Sequence, residues 1–290
     1  MSKYNHIIFK NLLSPILYLL FLILNSCTAP VDIKTNDSPP VISIYGCFTN
    51  ESKKQHVTVS LSSPYFDSRS NQAVSGADVK VESSSGEVFI LAEDPARPGR
   101  YQTPNDTAAI PGTTYTLTVK VDNNGVQELY SAISTMPAAM TLDFIRIKSV
   151  TQMGRKSYSL SIYAQDPPEE DYYLGIYQIN DSLFDKISKY TLMDDKRFNG
   201  QYLDGWQFKQ FGTVDEDDED DDPTHLKQGD AVTLYFSRVE KGYYDFIHQC
   251  RNEMNGESPF SGPAANITTN ISGGAAGYFT AYAVSKATAV

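Results

Sequence analysis

From residue 41 onward, apolar and polar residues trade places in short runs. "VISIYG" (41–46), "HVTVSL" (56–61), "ADVKVES" (77–83), "EVFIL" (87–91), "TYTLTVKV" (114–121) and "ELYSAI" (128–133) alternate or nearly alternate. A period of two puts one side of each run against a core and the other in water, the signature of half-buried strands. Between them stand "SSSG" (83–86), "DPARPG" (94–99), "IPG" (110–112) and "DNNG" (122–125), whose Gly, Pro, Asn and Asp favour tight turns. Six or seven such strands within about 100 residues predict an antiparallel immunoglobulin-like sandwich over 41–137. The pattern Gly112-x-x-Tyr115-x-Leu117-x-Val119 resembles a late sandwich strand, a resemblance that implies a Tyr packed at a corner.

"STMPAAMTLD" (134–143) interrupts the alternation and marks a boundary, so 138–290 is expected to form a second β-rich domain. "LDFIRIKSV" (142–150), "SYSLSIYAQD" (157–166), "DYYLGIYQIN" (171–180) and "DAVTLYFSRV" (230–239) predict longer strands, and "GYFTAYAV" (277–284) a closing one. Residues 182–211 mix aromatic, acidic and Gly residues and predict irregular strands and loops. One segment changes period. In "EKGYYDFIHQCRNEM" (240–254), Tyr243, Ile247, Cys250 and Met254, or alternatively Tyr244, Ile247 and Arg251, fall on one face of a helix. The fold class is therefore mainly β, a sandwich followed by a second β-rich domain with one helix.

The N-terminus follows a different rule. Behind Lys3 and Lys10, an unbroken apolar run from Ile16 to Leu24 predicts a secretory signal peptide over 1–26, too short for a membrane span. Leu24-Asn25-Ser26-Cys27 resembles a bacterial lipobox, in which cleavage leaves Cys27 to carry diacylglycerol on sulfur and a further acyl chain on nitrogen. An ordinary secreted protein with an incidental Cys27, or an uncleaved signal anchor, is the plainer reading. Residues 27–40, polar and ending in two prolines, predict a flexible tether.

Charge narrows the partners. Loss of residues 1–26 removes two lysines and no acids, leaving 22 basic against 35 acidic side chains, a formal charge of −13. That surface repels nucleic acid and anionic lipid, so attachment to a membrane rests on the N-terminal lipid. Cys47 and Cys250 remain as two thiols, which an oxidising compartment could join as a disulfide or leave separately buried.

The most conspicuous local feature is "DEDDEDDD", Asp215 to Asp222. Asp215, Asp217, Asp218, Asp220 and Asp222 invite Ca2+, which takes about six to eight oxygens. Their spacing is unlike a preformed loop, because an EF-hand alignment puts Asp220 where Gly is needed and Leu226 where Glu is needed. A solvated, self-repelling loop is the plainer reading. Nucleophilic chemistry has little to work with: no Gly-x-Ser-x-Gly, no His-Glu-x-x-His, and only His56, His225 and His248 after the signal peptide. The chain is therefore not expected to be an enzyme. "YLDGWQF" (202–208) places Tyr202, Trp206 and Phe208 beside Asp204 and Gly205, a combination that stacks on sugars or grips peptides when exposed and fills a core when not. Asp106-Thr107-Ala108 and Asp181-Ser182-Leu183 match a short pattern for sugar attachment to hydroxyls.

Taken in order, the lipobox, "VISIYGCFTNE", "VSGADVKVESSSGE", "GRYQTP", "PGTTYTLTV", "RFNG", "GDAVTLYFSRVEKGYYDFIHQC", "SPF" and "NISGGAAGYFTAY" resemble the domain-of-unknown-function 4249 family, lipoproteins of Bacteroidetes-type bacteria. The resemblance covers nearly the whole chain after the signal. Its most specific part is Pro259-Phe260 followed by Asn270-Ile271-x-Gly273-Gly274 and Gly277-Tyr278-Phe279. It implies an outer-membrane lipoprotein, often encoded near a TonB-dependent receptor, with no known activity. The function expected is thus a binding or scaffolding subunit beside a TonB-dependent β-barrel receptor, taking a small nutrient, sugar or peptide. The alternative is a cell-surface adhesin or envelope structural lipoprotein.

Overall fold

In a computed structural model, residues 40–62, 72–123, 125–152, 154–213, 225–254 and 267–290 are described. Cys27, the tether up to Pro39, the acidic run Asp215–Asp222 and Pro259-Phe260 lie outside them. The strands are β1 (Ile42–Thr49), β2 (His56–Leu61), β3 (Gln72–Ala73), β4 (Asp78–Ser83), β5 (Val88–Glu93), β6 (Arg100–Gln102), β7 (Thr114–Asn123) and β8 (Val126–Thr135), followed by β9 (Leu142–Gln152), β10 (Arg155–Gln165), β11 (Tyr172–Ile179), β12 (Ser182–Phe184), β13 (Thr191–Asp194), β14 (Tyr202–Phe211), β15 (Val232–Val239) and β16 (Ala276–Ala289). Among the described residues one α-helix, α1 (Lys241–Met254), interrupts them. Among the described residues no helix is long and apolar enough to cross a membrane.

β1 to β8 form the immunoglobulin-like part. The strand order β1-β2-β6-β5-β4-β7-β8 wraps a core of inward-facing alternate residues, among them Ile44, Phe48, Val57, Val59, Val79, Val81, Leu117 and Val119. The corner tyrosine is present: Tyr115 is buried and its hydroxyl accepts the Ile110 N–H at 2.7 Å.

The second half packs β11 and β15 face to face on a separate three-stranded sheet, β14-β10-β9. Tyr173, Tyr177, Leu234 and Phe236 meet Leu160, Ile162 and Phe211 in that core. The opposite face of the same strands receives α1 through Tyr243, Phe246 and Ile247. Of the two helix faces expected, the one through Tyr243, Ile247 and Cys250 is inward, although Met254 is exposed. Each fully buried Phe or Ile there contributes roughly 1.5–3 kcal/mol.

β16 joins the two halves. Its first seven residues pair in parallel with β1, Ser43 opposite Ala276 through Thr49 opposite Tyr282. Its next seven pair antiparallel with β15, Ala283 opposite Arg238 through Ala289 opposite Val232. Alternation along this one strand feeds three cores: Phe279, Ala281 and Ala283 enter the sandwich, Ala287 and Ala289 the second core, and Tyr278, Tyr282 and Val284 the helix layer. Ser134 of β8 reinforces the junction, donating its hydroxyl to Glu240 at 2.5 Å and accepting the Ala281 N–H at 2.9 Å. The expected boundary at 137/138 lies between β8 and β9. Its halves nonetheless share a strand, and residues 39–290 form one compact unit.

The largest departure from expectation is β14, a ten-residue strand within the stretch read as irregular. Its pairing with β10 skips Gly205 and Phe208 at two bulges, so the period of two is broken twice and the alternation cannot be seen in the sequence.

A tyrosine-floored cleft and a buried carboxylate cluster

On the helix-bearing face of the large sheet, beyond the end of α1, lies a cleft of about 400 Å³. Alternation builds its floor: Tyr45, Cys47 and Thr49 from β1, Tyr282, Val284 and Lys286 from β16, and Tyr235 and Ser237 from β15 all point to that side. Ile176, Leu183, Asp185 and Tyr190 form one wall, and Glu51, Lys53 and His56 another. The volume is that of a small-molecule site.

The floor is neutral. Tyr45 and Tyr243 share a hydrogen bond of 2.7 Å, and the Cys47 thiol lies 3.8 Å from the Tyr243 hydroxyl. Burial pushes Tyr45, Tyr243 and Tyr282 well up, so all three keep their protons. Burial also raises the Cys47 thiol, against hydrogen bonds from its tyrosine neighbours, which makes it a packing group and weak donor rather than a thiolate. Thr49 is 2% exposed, and its Oγ1 has no hydrogen-bond partner. A buried hydroxyl of this kind is unfavourable by about 1–3 kcal/mol until something satisfies it.

The rim is charged but balanced. Glu51 takes Lys53 at 2.6 Å and Lys286 at 2.5 Å, one on each oxygen. Burial opposes its charge, and those two hydrogen bonds outweigh burial and hold its carboxyl below the usual range. Lys286 also sits 4.6 Å from the Tyr235 ring centre. His56 is pushed down to about 4 by burial, then by the charges of Arg100, Lys53 and Arg97, so it is uncharged at neutral pH. Aromatic walls, fixed hydroxyls and paired charges suit an uncharged polar ligand with a ring to stack and hydroxyls to share.

Of the residues singled out from sequence, Cys47 and His56 line this cleft, whereas the aromatic trio does not. Tyr202, Trp206 and Phe208 do not converge on a surface. Tyr202 is exposed and donates to Asp143 at 2.9 Å, Trp206 is half-buried against Phe198 with ring centres 4.8 Å apart, and Phe208 is core. Phe208 fills the space above Gly175, where a Cβ would sit 2.2 Å from its ring. The bulge at Phe208 turns it inward, which is why the trio fails as a joint binding face. The disulfide weighed between Cys47 and Cys250 is not formed, and both thiols are free. Cys47 lies beneath Tyr243, whereas Cys250 is seven residues further along α1, about 10 Å down the axis and outside disulfide reach. A second cavity, about 390 Å³, opens at the far end of the sandwich between Val41, Leu61, Val74 and Tyr130.

Residues that could hold a metal appear where sequence reading did not place them. Asp166 closes β10, Asp171 precedes β11 and Asp195 follows β13. All three are buried, and one carboxylate oxygen from each lies within 4.8 Å of the others. Tyr173 donates to Asp166 at 2.5 Å and to Asp171 at 3.3 Å, the Gly200 N–H donates to Asp166 at 2.9 Å, and the Asp171 N–H donates to Asp195 Oδ2 at 2.8 Å. Arg238 pairs with Asp171 through Nε. Burial raises the carboxyls of Asp166 and Asp171, and for Asp171 the nearby guanidinium works the other way. Asp195 Oδ1 has no partner.

Residues 28–288 match the family described as domain of unknown function (DUF4249). No curated protein matches the sequence. Among solved structures, the chicken CNTN1 FN1-FN3 domains align with 14% identity and a TM-score of 0.27, over 70% of this chain and 64% of that one. A DUF4785 family protein (lpg0956) from Legionella pneumophila aligns with 9% identity and a TM-score of 0.25, over 68% of this chain and 52% of its own. The chain thus spans less than two thirds of either.

Proposed function

The chain belongs to the DUF4249 family, and on that premise we propose that it is a lipid-anchored accessory protein of the outer membrane, acylated at Cys27. Its role is to bind or scaffold beside a TonB-dependent receptor in nutrient uptake. The lipobox-like Leu24-Asn25-Ser26-Cys27 supports the anchor, and the family resemblance supports the receptor.

The cleft carries the binding half of the reading. An aromatic-lined volume of about 400 Å³, with polar and charged side chains around its rim, is suited to receiving a ligand. Neutral floor and balanced rim favour a sugar or other uncharged polar nutrient over an ion.

The test is gentle extraction of the native protein from membranes and mass spectrometry of what accompanies it. A stoichiometric TonB-dependent β-barrel and a retained small molecule support an uptake subunit. A lipoprotein recovered alone points instead to adhesion or envelope structure. Cys27→Ala is expected to abolish acylation and release the protein from the membrane fraction; acylation persisting in that variant removes the anchor.

A further inference from the structure

We infer that Asp166, Asp171 and Asp195 form a binding site for one Ca2+ ion, at the end of the second core and made without the acidic run at 215–222.

Charge comes first. Three carboxylates, each 3% exposed or less, face one guanidinium, Arg238, which is itself shared with Glu169 at 3.7 Å. The buried group therefore carries two negative charges more than its counterion neutralises, the charge of one divalent cation. Isolated buried charges of that size are strongly unfavourable unless paired or metal-bound.

Geometry comes second. One oxygen from each aspartate lies within 4.8 Å of the others, close enough for a single cation to reach all three. A donor set made only of carboxylate oxygens selects a hard cation over zinc or copper.

The third observation is independent of the clustering. Most of the carboxylate oxygens already have donors: Tyr173 and Gly200 on Asp166, Arg238 and Tyr173 on Asp171, and the Asp171 N–H on Asp195 Oδ2. Asp195 Oδ1 has none, on a side chain 1% exposed. An anionic oxygen sealed from water without a donor is the coordination position that a metal would fill. The ion would tie together the ends of β10, β11 and β13, three elements held there by short loops.

The experiment uses the full chain after chelation and removal of chelator. Calorimetry is expected to show one Ca2+ per chain with a dissociation constant of about 1 mM or tighter, and Ca2+ is expected to raise the melting temperature. Tb3+ in the same site is expected to luminesce on excitation of Tyr173, whose hydroxyl bonds Asp166 directly. Asp195→Asn keeps an acceptor for the Asp171 N–H but removes the orphan charge, and is expected to weaken Ca2+ on the order of 100-fold. Replacing the carboxylates of 215–222 by amides is expected to leave that binding intact. Absence of saturable binding would overturn the inference, as would tight binding that survives Asp195→Asn or disappears with the acidic run. Should Asp195→Asn fail to fold, Asp166→Asn is read the same way.

Discussion

Asn50 holds Val284 by both of its main-chain polar groups, accepting the Val284 N–H on Oδ1 at 2.8 Å and donating from Nδ2 to the Val284 carbonyl at 3.3 Å, across 234 positions of sequence. The parallel ladder between β1 and β16 ends at Thr49 and Tyr282, one residue before Asn50 and two before Val284. A side-chain amide thus stands in for one more peptide unit of β1 and extends the ladder. Asn50→Leu leaves both Val284 groups without their partner and is expected to destabilise by about 2–3 kcal/mol in urea unfolding. Asn50→Asp, which keeps the acceptor and sets a carboxylate against a carbonyl, is expected to lose nearly as much; full stability in Asn50→Asp would show that only the N–H bond matters.

Gly277 sits within the same ladder with φ of +99°, and a Cβ there would lie 2.0 Å from the Ile44 carbonyl oxygen. Both the backbone conformation and the close approach of β1 require a residue without a side chain. Gly277→Ala is expected to cost more than about 3 kcal/mol or to prevent folding, read as loss of the cooperative thermal transition. Gly274→Ala is the control. It shares the positive φ but meets nothing within 4 Å, and is expected to cost about 1 kcal/mol.

Thr49→Val replaces the unpartnered hydroxyl in the cleft by a methyl of the same shape. Removing a buried unsatisfied group is expected to stabilise the ligand-free protein by about 1 kcal/mol. A variant that is less stable in the absence of ligand would show that the hydroxyl is satisfied within the fold.

His56 makes stability depend on pH. Its folded value of about 4 lies below the ordinary 6.5, because it is half-buried among Arg100, Lys53 and Arg97 with Asp185 as the opposing charge. The folded state therefore binds fewer protons than the unfolded chain between those values. Its contribution is fully present above pH 6.5 and is lost as pH falls through that window towards 4, by on the order of 2 kcal/mol. His56→Gln is expected to flatten that part of the profile of unfolding free energy against pH; an unchanged slope would place the sensitivity elsewhere.

Most strands could be read directly from the sequence, because β2, β4 and β7 each keep a period of two and bury one side. β14 could not, since its bulges at Gly205 and Phe208 shift the phase twice within ten residues. The same phase shift made Phe208 look like a partner of Tyr202 and Trp206 when it is the lid on Gly175. Sites assembled across strands were illegible for a different reason. Asp166, Asp171 and Asp195 carry no spacing rule: the pairing of β11 with β13 sets Asp171 beside Asp195, and Asp166 comes from the end of β10 in the other sheet to meet Tyr173, whereas eight carboxylates in a row attract attention by sequence alone. The cleft was hidden likewise: Tyr45, Tyr235 and Tyr282 each look like an ordinary strand tyrosine until β1, β16 and β15 are laid side by side.

The sharing of β16 among three cores bears on the order in which the protein can assemble during synthesis. Residues 276–289 leave the ribosome after every strand with which they pair, so β1 waits through more than two hundred residues of growing chain for its neighbour, and β15 waits through the helix. Until then both expose unpaired strand edges, the surfaces that aggregate or recruit chaperones. A nascent chain of this protein therefore gains little from folding piecemeal; stopped short of β16, it is a substrate for proteolysis rather than a shorter working protein.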